Sequence, residues 1–267
     1  MINFKNLYTT WLKEQVKNNC KIKLVEKKQL DSLASCYCDI FNGEPFYESW
    51  TKKSASGVIN DYVASSATIW TPEIEEKVVG FLISTDMIPE EQRIYITKDQ
   101  DKMRYIEEIG VLKKYRGQNI ASELVRKEII NSLENDKNLL GYRTNAMRYF
   151  KKDSSESFES AVERVQEEDK KARENGENII IPKLTKEEKQ DFINQYISLL
   201  EKRPDLDSSD SSKLFRGIGL NLSYSNNNGN YTWQEDPTGA INDRIFPVID
   251  LKKSGYTKTY YNKAGQR

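Results

Sequence analysis

The 267-residue chain predicts a mixed α/β fold, a sheet flanked by helices with a helical insertion, and three observations predict it. Strand and helix patterns alternate over residues 22–145. One strand, at 104–112, runs through a basic, glycine-containing turn directly into a long helix. Residues 151–210 then change to dense mixed charge at helical spacing before strand patterns resume. A chain of this length can bury a substantial core, and one domain with an insertion, preceded by a helix within residues 1–20, accounts for the pattern.

Leu7, Trp11, Leu12 and Val16 recur at helical spacing, as in an amphipathic helix packed on the body. Ile22–Val25 alternates like a strand. Leu30, Leu33, Ala34, Tyr37, Ile40 and Phe41 then recur at three and four, the buried face of a helix. Asn42-Gly-Glu-Pro45 marks a turn, and Thr51 or Ser54 can cap the helix after it. Lys77–Ser84 and Arg104–Leu112 predict strands, Asn119–Leu133 a long helix and Leu139–Thr144 a short strand. In the charged block, 157–175 and 184–203 carry helical periodicity. Ser-Asp-Ser-Ser at 209–212 caps a short helix that turns through glycine at 214–220. Asn221–Trp233 predicts a hairpin, and Asp243–Leu251 a last strand interrupted by Pro247.

Lysine plus arginine and aspartate plus glutamate each number 41, so net charge is zero and no global field recruits nucleic acid or an anionic membrane. Cys20, Cys36 and Cys38 are odd in number and do not suit a disulfide framework; buried thiols in a reducing compartment fit better. No long apolar run suggests a signal or a membrane span, so the expected location is the cytoplasm. The sequence has no histidine, which rules out Ser-His and Cys-His nucleophiles and histidine-containing metal sites; no metal is expected.

The chemistry-bearing stretch is Tyr105–Val125. Unpaired N–H groups at a helix start, with the positive end of its dipole, suit a pyrophosphate. Arg116 adds a fixed charge, and Gly117 and Ala121 let a ligand approach closely. Arg116-Gly117-Gln118-Asn119-Ile120-Ala121 resembles the Arg/Gln-x-x-Gly-x-Gly/Ala motif of the GCN5-related N-acetyltransferase family. Asn119 stands where the family has its middle glycine, and asparagine is the non-glycine residue most at ease with positive φ. Val78–Phe81 resembles the family's third strand, Tyr142–Asn145 its fifth, and Leu214–Leu220 its Leu-Tyr-x-x-Leu-Gly-Phe helix and turn.

The resemblance implies a central, mostly antiparallel sheet and acyl transfer, most simply acetyl, from coenzyme A to a primary amine of a small molecule or peptide side chain. It implies that pantetheine pairs with backbone at Ile109, Gly110 and Val111 in a gap between the fourth and fifth strands. Arg116, Gly117, Gln118, Asn119, Ile120, Ala121 and Ser122 would hold the pyrophosphate, and Asn145 would contact the cofactor. Glu107 and Glu108 are the candidates for the catalytic base. In a regular strand one would face the acyl group and the other away, and an expected bulge leaves the choice open. The family's tyrosine acid is replaced by Phe215, so a thiol of pKa near ~8.5 would leave as the anion, or Tyr224, Tyr256, Tyr260 or Tyr261 would substitute. Phe46, Tyr47 and Trp50 offer an aromatic wall for the acceptor, with Glu44 or Glu48 for its charge. The charged helices could serve as a lid, a homodimer arm or a partner surface. A longer acyl donor and a catalytically silent acyl-CoA-binding regulator are the alternatives.

Overall fold

The computed structural model describes residues 20–43, 46, 48–88, 99–145, 147–177, 181–224, 233–234 and 244–255. The helix expected around Leu7–Val16 lies outside them. Two compact units make up the chain, residues 1–87 with 104–136 and residues 88–103 with 137–267.

The first unit contains β1 (Lys21–Leu24), α1 (Leu30–Phe41), α2 (Lys52–Ala64), β2 (Thr68–Ile74), β3 (Lys77–Val78), β4 (Gly80–Thr85), α3 (Ile120–Glu134) and all but the first residue of β5 (Met103–Val111). Its strands pair antiparallel in the order β1-β2-β4-β5, with β3 on β2. Leu33, Ala34, Tyr37, Ile40 and Phe41 of α1 are buried, as their spacing requires. Both expected caps of α2 are used reciprocally: Thr51 Oγ1 accepts from the Ser54 N–H at 3.1 Å, and Ser54 Oγ accepts from the Thr51 N–H at 3.0 Å.

β2 is a strand that periodicity does not predict. Pro72 and Glu73 interrupt its apolar alternation, and its turn to β3 is Glu75-Glu76, with φ of 50° and 63°, not the Asn-Gly that announces a two-residue hairpin. The pleat of this sheet sorts its two faces. Ile69, Phe81 and Ile83 join the core under α1 and α2. Trp70 points the other way, and its Nε1 donates to Glu128 of α3 at 2.8 Å.

The second unit contains β6 (Leu139–Tyr142), β7 (Thr144–Asn145), α4 (Phe158–Asn175), α5 (Lys186–Lys202), α6 (Asp210–Gly217), β8 (Leu222–Ser223), β9 (Trp233–Gln234), β10 (Arg244–Ile245) and β11 (Val248–Asp250). β6-β11-β8 and β7-β10-β9 pair antiparallel. The strand expected over Asp243–Leu251 is divided. Pro247 carries no N–H for a ladder, and the segments on its two sides join different sets of strands. The hairpin expected over Asn221–Trp233 has its centre, 225–232, outside the described residues; at its ends β8 pairs with β11 and β9 with β10. Ser209 caps α6, accepting from the Ser212 N–H at 3.3 Å, and Gly219, at φ 85°, ends it as expected. α4 and α5 are more than a solvated decoration: Ala161, Val162, Val165, Phe192, Ile193 and Ile197 are buried in a core shared with Tyr149, Tyr224 and Ile245. Among the described residues no helix is long and apolar enough to cross a membrane.

Candidate functional site

β5 delivers the chain to an exposed turn that opens α3. Leu112 N–H bonds to the Val79 carbonyl at 3.0 Å, and the register pairs Gly80 with Val111 and Leu82 with Ile109. In an antiparallel ladder hydrogen-bonded pairs alternate with non-bonded ones, so the backbone groups of Ile109 and Val111 point away from β4. Gly110 fits closely between neighbours; a Cβ there would meet Ile40 of α1 at 3.0 Å. Arg116 folds back so that its Nε donates to the Val111 carbonyl at 3.0 Å, which ties the guanidinium to the end of β5. Gly117 has φ 76°, and nothing lies within 4 Å of where its Cβ would be. Asn119 has φ 61° and ψ 9°, the left-handed conformation expected of it, and its side chain makes no capping bond. The Glu123 N–H reaches the Asn119 carbonyl as the first intrahelical bond. The N–H groups of Ile120, Ala121 and Ser122 therefore have no helical acceptor and stand at the positive end of the α3 dipole, a few residues after Arg116 in the chain.

The register between β4 and β5 slips at one place: Ile83 stands opposite Glu108, but Ser84 stands opposite Ile106. Glu107 is the extra, bulged residue. This changes the expectation of one carboxylate in and one out. Glu108 shares the face of its partner Ile83, which lies in the core under α1 and α2. The bulge turns Glu107 to the same face, where Thr85 Oγ1 lies 3.3 Å from its Oε1. Strand periodicity gives no sign of this Thr85–Glu107 contact, because only the bulge brings the two together.

Phe46, 46% exposed, packs on Phe41 with ring centroids 4.9 Å apart. Trp50 meets Tyr37 edge-on at 5.1 Å, and its indole N–H donates to the Glu48 carboxylate. Asn42 fixes this loop by bonding both the N–H and the carbonyl of Trp50. Tyr47 and Glu44 lie outside the described residues. Asn145 is placed in the second unit, on β7, opposite Arg244 of β10. Phe215 is fully buried against Tyr142, with centroids 4.5 Å apart. Tyr224 is buried too, and its hydroxyl donates to Asp207 at 2.8 Å. Burial, with the Asp207 carboxylate beside it, pushes the Tyr224 phenol well up, so it is a core group and a poor proton donor. Tyr256, Tyr260 and Tyr261 lie outside the described residues.

Residues 30–142 match the model of the Acetyltransferase (GNAT) family. Among curated proteins none matches the sequence. Solved structures similar to this chain include the loading GNATL domain of CurA from Lyngbya majuscula, 9% identical, covering 88% of this chain and 100% of that one at a TM-score of 0.50. They also include an N-acetyltransferase from Staphylococcus aureus Mu50, 16% identical over 88% and 99% of the chains at 0.46. A third is YncA from Salmonella typhimurium, whose structure holds its cofactor acetyl-CoA, 10% identical over 88% and 95% at 0.45.

Proposed function

From the premise that residues 30–142 belong to the acetyltransferase (GNAT) family, we propose that this protein transfers an acetyl group from acetyl-CoA to a primary amine. The observation that carries the reading is the start of α3. Asn119 holds a left-handed φ of 61° without capping the helix, so three N–H groups stay available to a pyrophosphate at the positive end of the dipole. Arg116, tied to the Val111 carbonyl, adds its charge. These residues fit the phosphates of coenzyme A, and the N–H groups of Ile109 and Val111, directed away from β4, fit its pantetheine amides. Acetyl-CoA would supply the activated acyl group.

The chain's own residues would orient and deprotonate. An N–H at Ile109 or Val111 is a donor for the thioester oxygen. Glu107 and Glu108, on one face of the sheet, can anchor an ammonium and take its proton. Phe215 stands where the family's acid would be and the Tyr224 hydroxyl is committed to Asp207, so the thiolate would leave as the anion. The half-exposed Phe46 and the Glu48 carboxylate held by Trp50 support an acceptor that couples a positive amine to an apolar body.

Calorimetric titration with acetyl-CoA tests the reading. Wild type should bind, and Arg116→Ala should bind about tenfold more weakly, as loss of a charge-assisted bond of ~1.5–3 kcal/mol allows. No binding by wild type would remove the proposal.

A further inference from the structure

We propose that Asn42–Gly43 is a site of deamidation, and that the clasp Asn42 makes with Trp50 both slows the reaction and is destroyed by it. In an asparagine–glycine pair the backbone nitrogen reaches the side-chain amide most easily, because glycine has no Cβ to shield it. The sequence holds three such pairs, Asn42–Gly43, Asn175–Gly176 and Asn228–Gly229. The last lies outside the described residues. Asn175 donates to one exposed carboxylate, Glu177 at 3.1 Å, so a change there releases no second element. Asn42 is different. It is exposed and ends α1, yet its side chain holds the residue just before the Thr51 cap of α2. Its Nδ2 donates to the Trp50 carbonyl at 2.8 Å, and its Oδ1 accepts from the Trp50 N–H at 2.6 Å. One exposed amide therefore ties the end of one helix to the start of the next.

The reaction consumes one water and releases one ammonia. The Gly43 nitrogen gives up its proton and its electron pair forms a bond to Asn42 Cγ. The Cγ–Nδ2 bond breaks, and ammonia leaves carrying the proton. Water then opens the five-membered imide at either carbonyl, leaving aspartate or isoaspartate at position 42. Ring closure needs Cβ, Cα, the carbonyl carbon and the Gly43 nitrogen nearly coplanar. Asn42 instead sits at φ −76° and ψ −17°, with its N–H on the Cys38 carbonyl at 2.9 Å, a helical setting that holds Cβ well out of that plane. The two bonds to Trp50 fix the side chain in the same closed arrangement, so the reaction must pass through a local opening. Neither product can rebuild the clasp. Aspartate has no N–H for the Trp50 carbonyl and sets a negative oxygen against it, and isoaspartate adds a methylene to the backbone itself.

The test needs no substrate. The full chain is incubated at mildly alkaline pH, once folded and once in urea, and peptide mass spectrometry follows the gain of about 1 Da at position 42 that replacing an amide by a carboxyl brings. Two net hydrogen bonds, each worth about fivefold in an equilibrium, should make the folded chain react about 25-fold more slowly than the unfolded one. The product carries one more negative charge, so anion exchange separates it from unreacted chain. In that fraction the Trp50 amide should exchange its hydrogen at least about tenfold faster than in unreacted protein, and Asn42→Asp, which makes one product directly, should show the same change. No mass gain at position 42 in urea removes the site. Equal rates with and without urea remove the protective clasp, and a folded chain slower by about 1,000-fold or more would mean that the site is closed to the reaction in the folded protein. Unchanged exchange at Trp50 in the deamidated fraction would overturn the release of α2 from α1.

Discussion

At the residue scale the proposed pyrophosphate cradle at the start of α3 depends on backbone angles that few residues tolerate. Asn119 sits at φ 61°, where a β-branched side chain costs about 1–2 kcal/mol or more. Asn119→Gly should therefore keep acetyl-CoA affinity, and Asn119→Val should weaken it several-fold; calorimetry on both variants reads the difference. This requirement was legible in the motif, because asparagine stands where glycine is expected. The bulge at Glu107 is less legible, since two adjacent glutamates do not say which one is extra. A second prediction concerns Cys36, whose thiol burial pushes up to about 12. The unfolded thiol ionises near pH ~8.5, so above that the unfolded state holds fewer protons than the folded one and stability falls as pH rises toward the folded value. Below the unfolded pKa this contribution is fully present. Cys36→Ala should flatten the fall between pH 8.5 and 10, where one differential proton is worth about 1.4 kcal/mol per pH unit; urea unfolding at stepped pH measures it.

At the scale of elements, the helix that carries the cradle is held by one buried carboxylate. Glu128 of α3, fully buried, accepts from Trp70 Nε1 of β2 at 2.8 Å and from Arg104 Nε of β5 at 2.9 Å. Arg104 also reaches Asp86 at 2.7 Å and Thr68. A buried ion pair broken on one side leaves the other charge uncompensated and costs about 3–5 kcal/mol. Glu128→Gln should lose stability in that range, and pairing it with Arg104→Met should recover part of it, a non-additivity that denaturant titration of the two singles and the double resolves. This network joins residues far apart in the chain, so no local pattern announces it. β2 escapes local pattern for a related reason. Pro72 and Glu73 hide the alternation of β2, and its strand state comes from pairing with β1 and β4 on both sides, a tertiary effect that overrides local preference. α1 and α3 are legible in their apolar spacing and α2 in its Thr51–Ser54 cap, both of them local signals.

At the scale of the whole molecule, the charged block shows how composition can mislead about burial. Residues 151–210 look like a solvated addition, and their exposed ion pairs, such as Arg164 with Glu156 at 2.6 Å and with Glu168 at 2.8 Å, contribute little each. Their apolar side chains contribute much more. Phe192 of α5 packs on Tyr149, Phe150 and Phe158 with centroids 5.0, 4.9 and 5.4 Å apart. The same core holds Tyr224 and Ile245, which lie beyond the block in sequence. A removable decoration would keep its core to itself. Here deletion of 151–210 would uncover Tyr149, Tyr224 and Ile245 and leave the β7 and β10 strands without their cover, so the shortened chain should lose cooperative unfolding and aggregate. Phe192→Ala is the milder form of the same experiment: truncating a buried phenylalanine costs about 3–5 kcal/mol, and the melting temperature should fall accordingly. The first unit supplies the cradle and both glutamates, so acetyl-CoA binding measured below the new melting temperature should survive in Phe192→Ala. Loss of binding in that folded variant would mean that the cradle depends on the helices of the charged block.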